Sequence, residues 1–332
     1  MEGRDMQVRG NADRTLLANL DQLLAIWSAW QPRRMTHISI VADREESWQP
    51  PGTDAVCCFS GGADACYTVW RHTLAGRLHP EALRAGIFVQ GFDVGIDDAG
   101  GREALESAGR ILDSAGIECI PVATNFRSVV PDWELTFGAA ACSVLTIFSP
   151  RFGRGLLAGG GECFVFSPWG STPMTDHLLS TSRMTVSCDG VAISRSRKIQ
   201  EIAKWPEARR ELRVCWEQRG VAGKNCGRCE KCLRTHLCFL ASGETNIGAF
   251  AAPPSITDIE AMTFIPPRVI DKHEEILELA RANGLSQADW AVALAARVRR
   301  GRLELSPHSS HRVMGKMLKI PGYLRRRLRR IL

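Results

Sequence analysis

Ala55-Val56-Cys57-Cys58-Phe59-Ser60-Gly61-Gly62-Ala63-Asp64-Ala65-Cys66-Tyr67 is the stretch on which the reading of the fold turns. Its first five residues are all apolar, with no polar alternation, which suits a strand buried on both faces. They run straight into Ser-Gly-Gly, and a helical pattern begins within two residues. Glycine lets the backbone turn sharply and lets a ligand approach the main chain. Free N–H groups at a helix start, with the positive end of its dipole, then favour an anion. Ser60 adds a hydroxyl donor. Asp64 can cap the helix or help hold a metal bound to phosphate.

Downstream of this loop, strands and helices alternate. Residues 64–75 read as a helix, 85–90 as a strand, 102–115 as a helix, 118–123 as a strand and 133–148 as a helix. Residues 155–158 and 163–166 are weaker strand candidates. Such alternation implies an α/β fold, a doubly wound parallel sheet with its ligand site at the carboxyl ends of the strands. Upstream, Leu16, Leu17, Leu20, Leu23, Leu24 and Trp27 share one face of a helix over 14–30. A short strand is expected at 35–41, before the punctuated linker Trp48-Gln49-Pro50-Pro51-Gly52.

After Ser194 the texture changes to a charged helix, a cysteine cluster and a second helix through residue 240. Prolines at 253–254 and 266–267 mark another linker, followed by a helical pair at 271–283 and 287–299. The expected organisation is an N-terminal helix–strand extension over 1–50, an α/β domain carrying the glycine-rich loop and the cysteine cluster over 51–245, a helical extension over 246–311 and a basic tail over 312–332.

The 332 residues carry a net charge of +6, with 45% hydrophobic and 23% charged residues, ordinary values for a globular chain. Eight Lys/Arg and no acid lie in the tail, so the preceding body holds about −2. A nucleic-acid surface over the whole protein is therefore not expected. The tail mixes these cations with apolar residues, a pattern that suits an anionic membrane surface or an acidic partner as well as a solvated end. Residues 1–14 lack the apolar core of a signal peptide, and no uncharged apolar run is long enough to span a bilayer, so a cytoplasmic location is expected.

Of the twelve cysteines, three form Cys226-Gly227-Arg228-Cys229-Glu230-Lys231-Cys232, and Cys215 lies ten intervening residues upstream. In a reducing compartment a tight cluster points to metal rather than disulfides. Four thiolates suit tetrahedral zinc, and four protein ligands close the site, so the role expected is structural. An iron–sulfur cluster uses the same ligands; the glycine and basic residues inside the motif favour zinc. His236 and Cys238 are expected to pack rather than ligate.

The loop lacks the common Gly-x-x-x-x-Gly-Lys-Ser/Thr pattern. It resembles instead the Ser-Gly-Gly-x-Asp-Ser loop of the PP-loop ATP pyrophosphatases, the adenine nucleotide alpha-hydrolase-like superfamily. Ser60, Gly61, Gly62 and Asp64 match, and Ala65 replaces the final serine. The order of loop and cysteine motif is most similar to that of the 7-cyano-7-deazaguanine synthases, over roughly residues 54–240. The resemblance implies a sheet of the HUP/PP-loop type with a C-terminal zinc knuckle at 215–232. It implies ATP and Mg2+ on the loop, with Phe59, Ser60, Gly61, Gly62, Ala63 and Asp64 lining the nucleotide, and Zn2+ on Cys215, Cys226, Cys229 and Cys232. A substrate, by resemblance a carboxylate, is adenylated with release of pyrophosphate, and a nucleophile such as ammonia then gives an amide or nitrile. Ser60 and Asp64 are the loop's catalytic candidates.

Other candidates come from position. Asp93 follows the second sheet strand, where a carboxylate contacts ribose or magnesium, or simply makes an acidic turn. Arg195 and Lys198 lie three apart on a helix and can share a face to steady pyrophosphate. In Pro168-Trp169-Gly170-Ser171-Thr172-Pro173, with Asp176 and His177 beyond, the histidine has a pKa suited to proton transfer. Two other functions stay open: sulfur transfer, with Cys66 as the candidate thiol, and non-catalytic nucleotide binding, for which Ala65 would be a sign. Expected partners are a small-molecule substrate and ammonia or a separate nitrogen donor, with no stable nucleic acid; a homodimer is left open.

Overall fold

The computed structural model describes residues 3–96, 98–130, 132–160, 168–215, 223–264 and 267–305. Its internal contacts divide the chain into two compact units, Met1–Lys224 and Asn225–Leu332.

The first unit opens with β1 (Met6–Asp13), α1 (Arg14–Trp30) and β2 (Ile40–Glu46). The strands pair in parallel, Met6 opposite Ile40 and Asp13 opposite Glu46, with a register shift between Val8 and Asn11. Two expectations change here. The strand anticipated at 35–41 lies at Ile40–Glu46, and β1 had no counterpart in the sequence reading. Both strands are mostly solvent-exposed, so neither carries the buried alternation that marks a strand. The helix forms where its apolar face predicts. Asp13 caps it by accepting from Leu16 N–H at 2.8 Å. Leu23 and Trp27 of α1 pack with Met35 and Leu178 in a small core of their own. Asp13 also accepts from the Ser182 N–H at 3.0 Å and from the Ser182 hydroxyl, which ties this extension to the larger sheet.

That sheet contains β3 (Asp54–Cys58), β4 (Ala82–Gln90), β5 (Glu118–Ala123), β6 (Arg154–Ala158) and β7 (Thr185–Asp189) in the order β5-β4-β3-β6-β7. Every pair is parallel. The helices α2 (Ala63–Thr73), α3 (Ala99–Ser114), α4 (Phe126–Val129), α5 (Trp133–Ile147), α6 (Arg195–Ile202) and α7 (Pro206–Glu211) connect and cover it. The α/β class and parallel sheet expected from the alternation are therefore present. Ala55, Val56 and Cys57 of the central strand have no exposed surface, as a strand covered on both faces requires. Val56, Ile87 and Leu145 belong to one core, where truncating Ile87 to alanine would cost about 2–5 kcal/mol. The candidate strand at 163–166 lies outside the described residues.

The second unit carries α8 (Glu230–Ala241), α9 (Ile256–Glu260), α10 (Val269–Ala282) and α11 (Asp289–Leu305). The helical pair of the sequence reading is α10 and α11. Leu237, Phe239, Ile270, Ile276 and Leu294 are buried within it. Arg297 donates from Nε to the Met262 carbonyl at 2.7 Å. No helix among the described residues is long and apolar enough to cross a membrane.

Candidate nucleotide and metal sites

The strand order reverses between β3 and β6. From β3 the chain proceeds outward to β4 and β5; from β6 it proceeds the other way to β7. Where adjacent strands diverge like this, the loops at their carboxyl ends splay apart and leave a crevice. Ser60-Gly61-Gly62 follows β3 and Gly159-Gly160 follows β6, so the sequence places its two glycine-rich turns at that point.

Gly61 has φ +72°, and a Cβ there would meet nothing within 4 Å. Glycine is therefore needed for the backbone conformation, not for space. Gly62 is the N-cap of α2, and no side chain caps that helix. Its N–H approaches Ser60 Oγ at 3.3 Å, and its carbonyl accepts from Cys66 N–H at 2.8 Å. An uncapped helix start leaves donors for an anion. Phe59 anchors the loop: its ring is 1% exposed and its N–H donates to the Ile87 carbonyl at 2.8 Å. Ala63, fully buried, begins α2. Since Gly62 is the cap, Asp64 stands in the helix's first turn, and its carboxylate turns to cations instead.

Those cations come from α6, which Ser194 caps by accepting from Arg197 N–H at 3.5 Å. Arg195 Nη1 lies 3.0 Å from Asp64 Oδ2, and Lys198 Nζ lies 3.3 Å from Asp64 Oδ1. The fully buried Lys198 also donates to the Gly159 carbonyl, so one ammonium spans both glycine turns. A third cation was not visible in the sequence. Arg213 donates its main-chain N–H to the Gly61 carbonyl at 2.9 Å, and its side chain is buried. Spacing could not have shown it, because about 150 residues separate it from the loop. Arg195 Nε and Arg213 Nη2 are both sealed from solvent without a hydrogen-bond partner. Buried guanidinium nitrogens are ordinarily satisfied, so an orphan on Arg195, which pairs with Asp64, and another on Arg213, whose main chain is bonded to the loop, fit an absent acceptor such as phosphate oxygen.

The outer end of the same edge is already satisfied. Asp189, the last residue of β7, accepts from Thr68 Oγ1 at 2.9 Å and pairs with Arg71 at 2.9 Å. Glu81 N–H donates to His72 Nδ1 at 2.9 Å, so the hydrogen on that ring belongs to Nε2, which faces Asp189 at 3.1 Å. Burial alone would raise the Asp189 pKa, but His72, Arg71 and Thr68 outweigh it and hold the carboxylate below its ordinary value.

Asp93 is exposed just beyond β4, on the carboxyl edge as expected. Asp98, further along the same turn, caps α3 by accepting from Gly100 N–H at 2.8 Å. Beyond β6, Asp176 is fully buried and accepts from Ser171 Oγ at 2.6 Å and Thr172 N–H at 2.9 Å. Burial, offset in part by these bonds, raises its pKa above the ordinary carboxyl value. His177 is exposed beside it. The structure thus makes the Ser171–Asp176 segment a self-bonded turn. Cys66 is fully buried, its thiol donating to the Gly61 carbonyl at 3.6 Å, and burial pushes its pKa far above the usual thiol value.

The four expected ligand cysteines do converge. The sulfurs of Cys215, Cys226, Cys229 and Cys232 lie within 4.8 Å of one another. Cys226 Sγ stands 3.9 Å from Cys232 Sγ, too far for a disulfide. It is close to the roughly 3.8 Å edge that a tetrahedron with ~2.3 Å zinc–sulfur bonds requires. Gly227 has φ +72°, which turns the chain so that Cys229 N–H points to Cys226 Sγ at 3.3 Å. This cluster of four cysteines could hold zinc. His236 stacks on Phe250 at 4.6 Å instead, with its pKa lowered by burial to about 4, and Cys238 is buried. The basic tail lies outside the described residues. No protein-family model matches the chain, and neither a curated protein nor a solved structure matches it.

Proposed function

We propose that this chain is an ATP-dependent enzyme of the PP-loop type that adenylates a substrate and releases pyrophosphate. The observation that carries the reading is the charge balance at the strand reversal. Three cationic residues, Arg195, Lys198 and Arg213, adjoin Ser60-Gly61-Gly62 or the helix start after it, and among the described residues the one carboxylate paired there is Asp64, which meets Arg195 and Lys198. Two guanidinium nitrogens there are unsatisfied. A polyanion at the start of α2 would answer both deficits.

In the reaction, a substrate oxygen (a carboxylate by resemblance) attacks the α-phosphorus. The bond to the β-phosphate bridging oxygen breaks and its electron pair leaves with pyrophosphate. Ammonia, free or from a separate donor, then displaces AMP to give an amide-type product. Ser60 Oγ and the first N–H groups of α2 would orient the phosphates, and Arg195 and Lys198 would take up charge on the departing pyrophosphate. Such preorganised donors act most strongly where water is excluded, and Lys198 is wholly buried. Asp64 and Asp93 are the carboxylates on this edge suited to Mg2+, which would neutralise phosphate charge. Zn2+ on the four cysteines would serve the fold, because a closed thiolate set leaves no open position for substrate. The buried Cys66, with its raised pKa, argues against a thiol relay and hence against sulfur transfer.

Exchange of labelled pyrophosphate into ATP, run with a panel of carboxylates, tests the reading. Substrate-dependent exchange is expected in the parent and its loss in Gly62→Val, whose Cβ would crowd Ser60 Oγ at 3.2 Å. Absence of any calorimetric heat with ATP and Mg2+ in the metal-replete parent would refute it.

A further inference from the structure

Resting on the ATP reading, we propose that Arg213 is itself a ligand of the polyphosphate, gripping it with its guanidinium while its main chain holds the loop. The main-chain half of this is bonded already. Arg213 N–H donates to the Gly61 carbonyl at 2.9 Å, and the Arg213 carbonyl lies 3.7 Å from where a Cβ on Gly62 would stand. Residue 213 is therefore bonded to the first glycine of the turn and lies beside the second, the N-cap of the uncapped α2.

The side chain is what calls for a ligand. It is 8% exposed, and Nη2 has no acceptor. Among the described residues no carboxylate pairs with Arg213, whereas Arg195 and Lys198 share Asp64. A buried guanidinium stays charged under all ordinary conditions, so it cannot relieve this by losing a proton. Left alone it weakens the fold; offered phosphate oxygens, it can make paired, charge-assisted bonds that a lysine ammonium cannot reproduce. The same position therefore explains a cost in the unliganded protein and a gain on binding. Arg195 differs, since Asp64 already compensates its charge.

The test is calorimetric titration of inorganic pyrophosphate, and of ATP with Mg2+, into the full chain and its Arg213→Met and Arg213→Lys variants, with melting of each unliganded protein. Arg213→Met should weaken pyrophosphate binding about 10–100-fold, the worth of one or two charge-assisted bonds. Its unliganded melting temperature should be equal to or above that of the parent, because an unpaired buried charge has been removed. Arg213→Lys should melt within the same range yet bind at least about 3-fold more weakly than the parent, since the planar fork is lost. Should Arg213→Met not fold, Arg213→Lys decides. Parent-like pyrophosphate affinity in either folded variant overturns the assignment. So does a weakened affinity accompanied by an equal loss of unliganded stability, which would mark a structural arginine. If the parent binds neither pyrophosphate nor ATP, the nucleotide reading fails as well; if the parent binds and the variants bind equally, only Arg213 is dismissed.

Discussion

The turn after β3 and the segment 168–176 after β6 both drew notice as glycine-containing polar loops, yet the structure gives them opposite conditions. In the second, Asp176 is buried with its oxygens taken by Ser171 and Thr172, and among the described residues no buried side-chain atom of the segment lacks a partner. In the first, donors outnumber acceptors: cations crowd one carboxylate, two guanidinium nitrogens are unsatisfied and a helix start is uncapped. Burial alone does not separate the two, since Lys198 and Asp176 are equally sealed. What separates them is whether the local sequence completes its own hydrogen bonds. A completed loop holds shape, and an incomplete one holds a place for something else.

That contrast can be broken most sharply at Lys198. Lys198→Met should lower pyrophosphate exchange about 100-fold, the usual worth of a preorganised donor at a developing charge. Exchange at the parental rate would erase the distinction between the loops. At the completed loop the expected loss is of stability instead. Asp176→Ala leaves the Ser171 hydroxyl and the Thr172 N–H without their acceptor, which should cost about 1–3 kcal/mol in urea unfolding while ATP heats persist. A lost ATP signal in the folded variant would instead place this segment in the nucleotide site.

Gly61→Ala gives a smaller effect and a cleaner one. Space is open around its Cβ, so only the left-handed backbone resists, at about 1–2 kcal/mol. A lower urea midpoint with reduced stabilisation by pyrophosphate is expected; an unchanged midpoint would show that the turn relaxes freely. The smallest effect is a pH slope. Because burial raises the Asp176 pKa, the unfolded chain gives up that proton first, near about 3.9. The Asp176 contribution to stability therefore falls as pH rises from there toward the folded value. Asp189, held low by His72, Arg71 and Thr68, acts in the other direction, stabilising above about 3.9 and losing that contribution as pH falls through its folded value. Relative to the parent, Asp176→Asn should gain stability as pH rises across this window. A constant difference in urea midpoint would show that Asp176 does not titrate there.

The alternation of apolar runs with helical spacing was enough to expose the α/β sheet and its central strand, because burial on both faces writes itself into consecutive residues such as Ala55, Val56 and Cys57. The Ser60–Asp64 turn and the four cysteines were legible for a similar reason: backbone freedom and thiolate spacing are local properties. β1 and β2 were not, since a mostly exposed pair leaves no periodic signature. β7 hid in the mixed polar sequence Thr185–Asp189. Arg213 and the Asp189 cluster escaped for another reason. Thr68 and Asp189 are 121 positions apart, and only the sheet order brings such pairs together.

Asp13 carries a consequence of its own. A parallel ribbon of two strands is seldom self-sufficient. This one leans on α1 and on Asp13, whose side chain starts the helix and grips Ser182 across 169 positions. Residues 6–46 should therefore open as one cooperative foldon, at a free energy below that of global unfolding, with their amides exchanging into deuterium ahead of those in β3 and β4.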